Sequence, residues 1–179
     1  IWFKNRTHSS SNNELYDTIR GVTKRLRSNS SEAEYTENNT QDLTSFNSNG
    51  FSLGAAGWDK MNWPGDDIAS WTFRKAPGFF DVVTYTGNGS NRTIAHSLGS
   101  VPGCIMVKKT SGSAGWYVYH RGLGAAKYLG LNGTFAEQTV AVVWNSTEAT
   151  STHFSVGTDG DVNGNGDEFV AYVFAGGES

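Results

Sequence analysis

A chain of 179 residues is long enough for one large domain or two small ones with a real hydrophobic core, so no disulfide or structural metal is needed to staple it. Gly at 22 residues, Pro at only 3 and an aromatic fraction of 13 %, with Ser, Thr and Asn between the apolar runs, favour short strands joined by tight turns. A formal net charge of -3 excludes a broad basic field for nucleic acid, the single Cys104 excludes an intrachain disulfide, and no apolar run is long enough to cross a membrane as a helix.

In chain order, Ile1-Trp2-Phe3-Lys4 reads as a strand. It has no starting Met and no secretion-signal layout, so the chain is expected to begin inside a longer polypeptide. Between Glu14 and Leu26 the residues Leu15, Ile19, Val22 and Leu26 fall at near-helical spacing, but Thr18, Gly21, Val22 and Thr23 weaken a helix there. Lys24, Arg25 and Arg27 form the best basic patch, read as a solvated face in preference to a nucleic-acid site. Phe51-Ser52-Leu53-Gly54 is a strand, Trp58 to Trp63 an aromatic loop, and Gly65 to Phe73 an acidic turn feeding an apolar strand. Phe79 to Thr86, the turn Gly87 to Asn91, and Arg92 to His96 read as a hairpin. Beyond it, Cys104 lies in an apolar run as a small buried hydrophobe, and Trp116–Tyr119, Thr139–Trp144, His153–Val156 and Phe169–Phe174 read as strands.

The chain repeats itself at an offset of about a hundred residues, the kind of signal that decides an architecture. Ile1-Trp2-Phe3-Lys4 matches Ile105-Met106-Val107-Lys108, and Arg20-Gly21 matches Arg121-Gly122. Asn29-Ser30-Ser31-Glu32-Ala33-Glu34 matches Asn132-Gly133-Thr134-Phe135-Ala136-Glu137. Phe46-Asn47-Ser48 answers Trp144-Asn145-Ser146, and Gly65-Asp66-Asp67 answers Gly166-Asp167-Glu168. The expected organisation is therefore a first β repeat over residues 1–76, lacking the opening hairpin, and a second over 77–179 that has it. The expected fold is all-β, an antiparallel β-sandwich in which the two duplicated halves pack their apolar faces together.

The run Tyr85-Thr86-Gly87-Asn88-Gly89, with Ile94-Ala95-His96-Ser97-Leu98-Gly99-Ser100-Val101-Pro102-Gly103 and Ile105-Met106-Val107-Lys108, resembles the repeated tail-fibre-like modules of marine and freshwater bacteriophages. The resemblance covers nearly the whole chain. It implies a virion protein on the particle surface, with other virion proteins as partners and a homo-oligomer, a trimer by analogy with phage fibres. The aromatic insert Trp58 to Trp63 replaces the plain polar loop of that family's pattern, which makes it the first suspect for partner binding.

Trp58, Trp63 and Trp116 are candidates to stack on a host-surface glycan, while Trp2, Trp71 and Trp144 fall on strand positions and are assigned to the core. Tyr119, His120 and Arg121 are candidates for an acidic sugar, although a recurring Arg-Gly reads more economically as a structural device. Asp159, Asp161, Asn163 and Asp167 begin like a calcium loop, but Val170 stands where a bidentate Glu belongs and a strand follows, so a plain surface turn is favoured over a calcium cofactor. His96 reads as a turn-holding side chain bonded to backbone. The motifs of serine hydrolases, zinc proteases and phosphate loops are missing from the sequence, and the expectation is a non-enzyme. Three functions remain, in this order: an appendage module that attaches to the host surface through glycan; a purely structural spacer or capsid or tail decoration protein; and, ranked last, a hydrolase acting on surface polysaccharide.

Overall fold

The computed structural model describes residues 1–37, 41–55 and 61–177. The chain forms two compact units, Ile1–Phe73 and Arg74–Ser179. It is all-β, and every ladder between named strands is antiparallel.

The first unit contains β1 (Trp2–Asn5), β2 (Asn13–Leu15), β3 (Lys24–Arg27), β4 (Tyr35–Thr36), β5 (Leu43–Asn47), β6 (Gly50–Leu53) and β7 (Ile68–Trp71). Five strands form a sheet in the order β4-β3-β2-β1-β7, and β5 with β6 makes a separate hairpin. Phe3, Tyr16, Leu43 and Met61 form its core with Phe46, Phe51 and Leu53 of the hairpin, and Phe3 meets Phe51 edge-on at 5.1 Å. Glu14 to Leu26 is strand, turn and strand, with Gly21 at φ 93° in the turn; the helical spacing of its apolar residues does not produce a helix.

The second unit contains β8 (Phe80–Thr86), β9 (Arg92–Ala95), β10 (Pro102–Lys109), β11 (Trp116–His120), β12 (Lys127–Gly130), β13 (Gln138–Thr139), α1 (Ala141–Trp144), β14 (His153–Val156), α2 (Gly160–Asn163) and β15 (Glu168–Ala175). Its main sheet runs β13-β12-β11-β10-β15-β8, with β9 and β14 paired separately. Ile94, Phe154 and Val156 of that smaller sheet share one core with Ile105, Val107, Phe169, Ala171 and Val173 of the larger one. The opposite face of the main sheet, carrying Val82, Met106, Trp116, Val170 and Tyr172, is buried too. Burial on both faces explains why Phe169 to Phe174 reads as an unbroken apolar run with no alternation.

Two strand expectations are corrected. Phe79–Thr86 and Arg92–His96 do not pair as a hairpin: β8 joins β15 and β9 joins β14, so residues 87–91 carry the chain around a corner from one sheet to the other. Thr139–Trp144 is not a continuous strand, because the chain turns into α1 after Val140 and leaves it at Asn145, φ 53°. A helical turn brings the neighbours Val143 and Trp144 into one core, where a strand would point them to opposite faces.

The two main sheets share one strand order and one register. Trp2 opposes Trp71 and Leu15 in the first unit, as Met106 opposes Tyr172 and Val118 in the second. Leu15 opposes Leu26 as Val118 opposes Leu129, and Lys24 opposes Thr36 as Lys127 opposes Thr139. This register makes Gly124 the counterpart of Gly21, and both have positive φ. The Arg-Gly match between Arg20-Gly21 and Arg121-Gly122 is thus out of step, and the two arginines are not equivalent.

Candidate functional site

The repeated polar motifs turn out to be clamps. Asn29 accepts the backbone N–H of Asn13 at 2.9 Å, and Asn132 accepts that of Trp116 at 2.9 Å, each tying the start of one strand to the loop after the next. Glu34 pairs with Lys24, and Glu137 with Lys127. The backbone N–H of Asp67 donates to Thr7 Oγ1 at 2.8 Å, and that of Glu168 to Ser111 Oγ at 3.0 Å. The shared Asn-x-(Ser/Thr)-x-Ala-Glu and Gly-Asp-(Asp/Glu) patterns therefore lock the sheet edges at the same places in both units.

The acidic run does not gather into a cation cage. Asp159 caps α2 by accepting the Asp161 N–H at 2.9 Å, and burial pushes its carboxyl up. Asp161 accepts from the Tyr117 hydroxyl at 3.1 Å. Asp167 is held low by Lys109 Nζ at 2.7 Å and also accepts from Ser111 Oγ at 3.0 Å. Asn163, fully buried, donates to Ser90 O and Gly157 O, both at 2.7 Å, and accepts the Asn88 N–H at 3.1 Å. Among the described residues there is no group of three or more His, Cys, Asp or Glu side chains placed to hold a metal.

The glycan candidates are scattered. Trp58 lies outside the described residues. Trp63 is 49 % exposed, but Trp116 is 1 % exposed, stacked on Tyr172 at 6.1 Å, which removes it as a surface platform. It follows a Gly- and Ser-rich stretch and so resembles a loop-tip aromatic, yet it is the first residue of β11 and points into the sheet's second face. Tyr119 is buried on the other face, its hydroxyl donating to Glu148 at 2.6 Å, with burial and that carboxylate raising its pKa to about 12. His120 and Arg121 are exposed; Arg121 Nη2 donates to Gly177 O at 3.2 Å, and His120 Nδ1 accepts the Gly122 N–H at 3.2 Å. Buried Tyr119 and exposed His120–Arg121 therefore do not form one surface.

Neither is the basic patch a solvated face. Arg25, 3 % exposed, pairs with Glu14 at 3.1 Å and Glu37 at 2.5 Å, while Arg27 reaches Glu14 at 3.3 Å and Glu32 at 2.6 Å. His96 bonds backbone at both ring nitrogens, with Thr150 O 3.2 Å from Nε2 and the Leu98 N–H on Nδ1 at 3.3 Å. Burial lowers its pKa, and a neutral ring with its proton on Nε2 satisfies both contacts.

What the sequence reading missed is Trp71. Assigned to the core, it is 50 % exposed and meets Trp2 edge-on at 6.2 Å. A groove of about 360 Å³ is lined by Trp2, Lys4, Asn13, Trp71 and Phe73. Among the described residues β7 pairs with β1 alone, whereas its register equivalent β15 lies between β10 and β8.

Comparison with curated proteins returns no match, and comparison with solved structures returns none either. A family model matches residues 1–178, and the chain belongs to the family described as "Domain of unknown function (DUF7483)".

Proposed function

We propose that the chain is a non-enzymatic structural module of a bacteriophage appendage, made by duplication of one β unit, exposed on the particle and working alongside other virion proteins as a homo-oligomer. The observation that carries this reading is the repetition of one strand order, one register and one set of polar clamps within a single chain. Repeated units of this kind build extended structural arrays, and here the repeated polar residues are engaged in tying the strands within each unit. The resemblance of the run from Ile94 to Lys108 to tail-fibre-like modules supports the location.

Attachment to a host glycan is the second reading, favoured by half-exposed Trp63 and Trp71. Mass spectrometry and immunogold microscopy of purified particles are expected to find the chain as a fixed-stoichiometry component of an appendage. Its absence from purified particles would overturn the proposal. Glycan-array binding that is lost in Trp63→Ala would promote attachment over the structural role.

A further inference from the structure

We propose that the Tyr117–Tyr128–Phe135 cluster, with Asp159 and Asp161 beside it, is a binding platform for an uncharged hexose glycan. The register of the two units sets this cluster apart from ordinary packing. Tyr117, Tyr128 and Gly130 stand where the first unit has Glu14, Arg25 and Arg27, and in the loop that follows Phe135 stands where it has Glu32. The first unit fills these positions with ion pairs, Arg25 and Arg27 on Glu14 and Arg27 on Glu32. One strand order is thus built with charge at these positions in one unit and with aromatic rings in the other, so the fold itself does not require rings there.

Phe135 is 50 % exposed, yet its ring is held in place. It lies so close to Gly130 and Gly133 that an added Cβ would stand 2.2 Å and 2.4 Å from ring carbons, and it meets Tyr128 edge-on at 6.3 Å. Tyr128 in turn lies 4.7 Å from Tyr117, so the three rings make one strip from the exposed loop to the rim of the core. An exposed ring that is already held loses little entropy when a ligand settles on it. Polar groups stand at the inner end of the strip. Tyr117 donates its hydroxyl to Asp161 at 3.1 Å, and burial, then the charges of Asp159 and Asp161, keep that hydroxyl protonated. Asp81, Asp167 and Glu137 of this unit each pair with a lysine. Among the described residues Asp161 instead takes the phenol and Asp159 a backbone N–H. A carboxylate offers about four lone-pair sites, so both retain room for hydroxyl donors. A ring beside acceptors matches a pyranose, which has an apolar C–H face and hydroxyl donors around its edge. Two carboxylates so placed repel a uronic or sialic acid, which selects an uncharged sugar.

The proposal rests on the attachment reading for its biological setting, and its chemistry is tested on the purified whole chain. Binding is measured on a glycan array carrying neutral and acidic sugars, then by NMR titration with a soluble neutral hexose oligosaccharide that the array selects. Neutral hexose glycans are expected to bind, and glycans ending in uronic or sialic acid are not. The amides of Gly130 and Gly133, the two residues against the Phe135 ring, should shift on titration of the native chain, a readout that needs no variant. Phe135→Glu, which copies the first unit at this position, is expected to weaken binding by about tenfold or more, while Trp63→Ala leaves it unchanged. Asp161→Asn should relax the exclusion of acidic sugars. Preference for acidic sugars, unshifted Gly130 and Gly133 amides, or binding indifferent to Phe135→Glu overturns the proposal. Binding lost in Trp63→Ala and kept in Phe135→Glu overturns the platform and leaves the attachment reading standing, whereas no glycan binding at all removes both.

Discussion

Lys108 shows how one residue can work against the stability of its own fold. Its side chain is fully buried, with Nζ donating to Ala114 O at 2.9 Å, and burial lowers its pKa from 10.5 to about 8. At pH 7 the folded chain therefore holds an ammonium that water would solvate better, and the penalty is complete below pH 8. Between pH 8 and 10.5 the folded chain has released that proton while the unfolded chain keeps it, so stability from this group rises with pH across the window. Lys108→Met, of similar length, is expected to stabilise the protein at pH 7 by about 1–3 kcal/mol. Urea denaturation of both proteins from pH 7 to 10.5 should show the advantage of the variant shrinking as pH rises. An advantage that is constant across the range would mean that Lys108 titrates as an ordinary surface lysine. Taking the difference between the two proteins removes the opposing contribution of Tyr85, whose pKa is raised by burial and which therefore lowers stability as pH rises above 10, where the unfolded chain ionises and the folded chain does not.

At the scale of elements, the corner between β8 and β9 depends on a few close contacts. A Cβ at Gly87 would lie 2.1 Å from Gly164 O, so the turn approaches the α2–β15 segment more closely than any other residue type permits. Gly87 and Gly89 donate backbone N–H groups to Asp167 O at 2.8 Å and Asn163 O at 2.7 Å, and the Asn163 side chain closes the junction. Asn163→Asp keeps the shape but sets an acceptor against the carbonyls of Ser90 and Gly157, and a loss of about 3 kcal/mol or more is expected by chemical denaturation. A loss below about 1 kcal/mol would show that the corner is held by its backbone contacts alone. This junction also shows what was legible in the sequence. Strand period and turn residues were readable locally, and they placed β1, β8, β9, β11, β14 and β15, whereas β2, β3, β12 and the turn into α1 went unread. Gly87-Asn88-Gly89 satisfies a hairpin as well as it satisfies a corner, and the difference lies in Asn163, 75 positions away from Asn88. The same limit hid Trp116 and Trp71: local pattern marks each as aromatic in a strand context, whereas burial depends on whether another strand lies alongside.

At the scale of the whole chain the two units differ in how self-sufficient they are. The second unit joins sixteen buried residues in one core drawn from both of its sheets and both short helices. The corresponding cluster of the first unit, among the described residues, has four, and beside it stands the Glu14–Arg25–Glu37 ion-pair set. Burying charges costs desolvation that their mutual attraction only partly returns, so such a set adds less net stability than an apolar core of equal volume. Residues 74–179 alone are therefore expected to unfold in one cooperative thermal transition with dispersed amide resonances. Residues 1–73 alone should melt at lower temperature and with less cooperativity. Circular dichroism melting curves of the two fragments decide the matter. A first fragment that melts as sharply and as high as the second would show that the Glu14–Arg25–Glu37 set supports its unit as well as the larger apolar core supports the other.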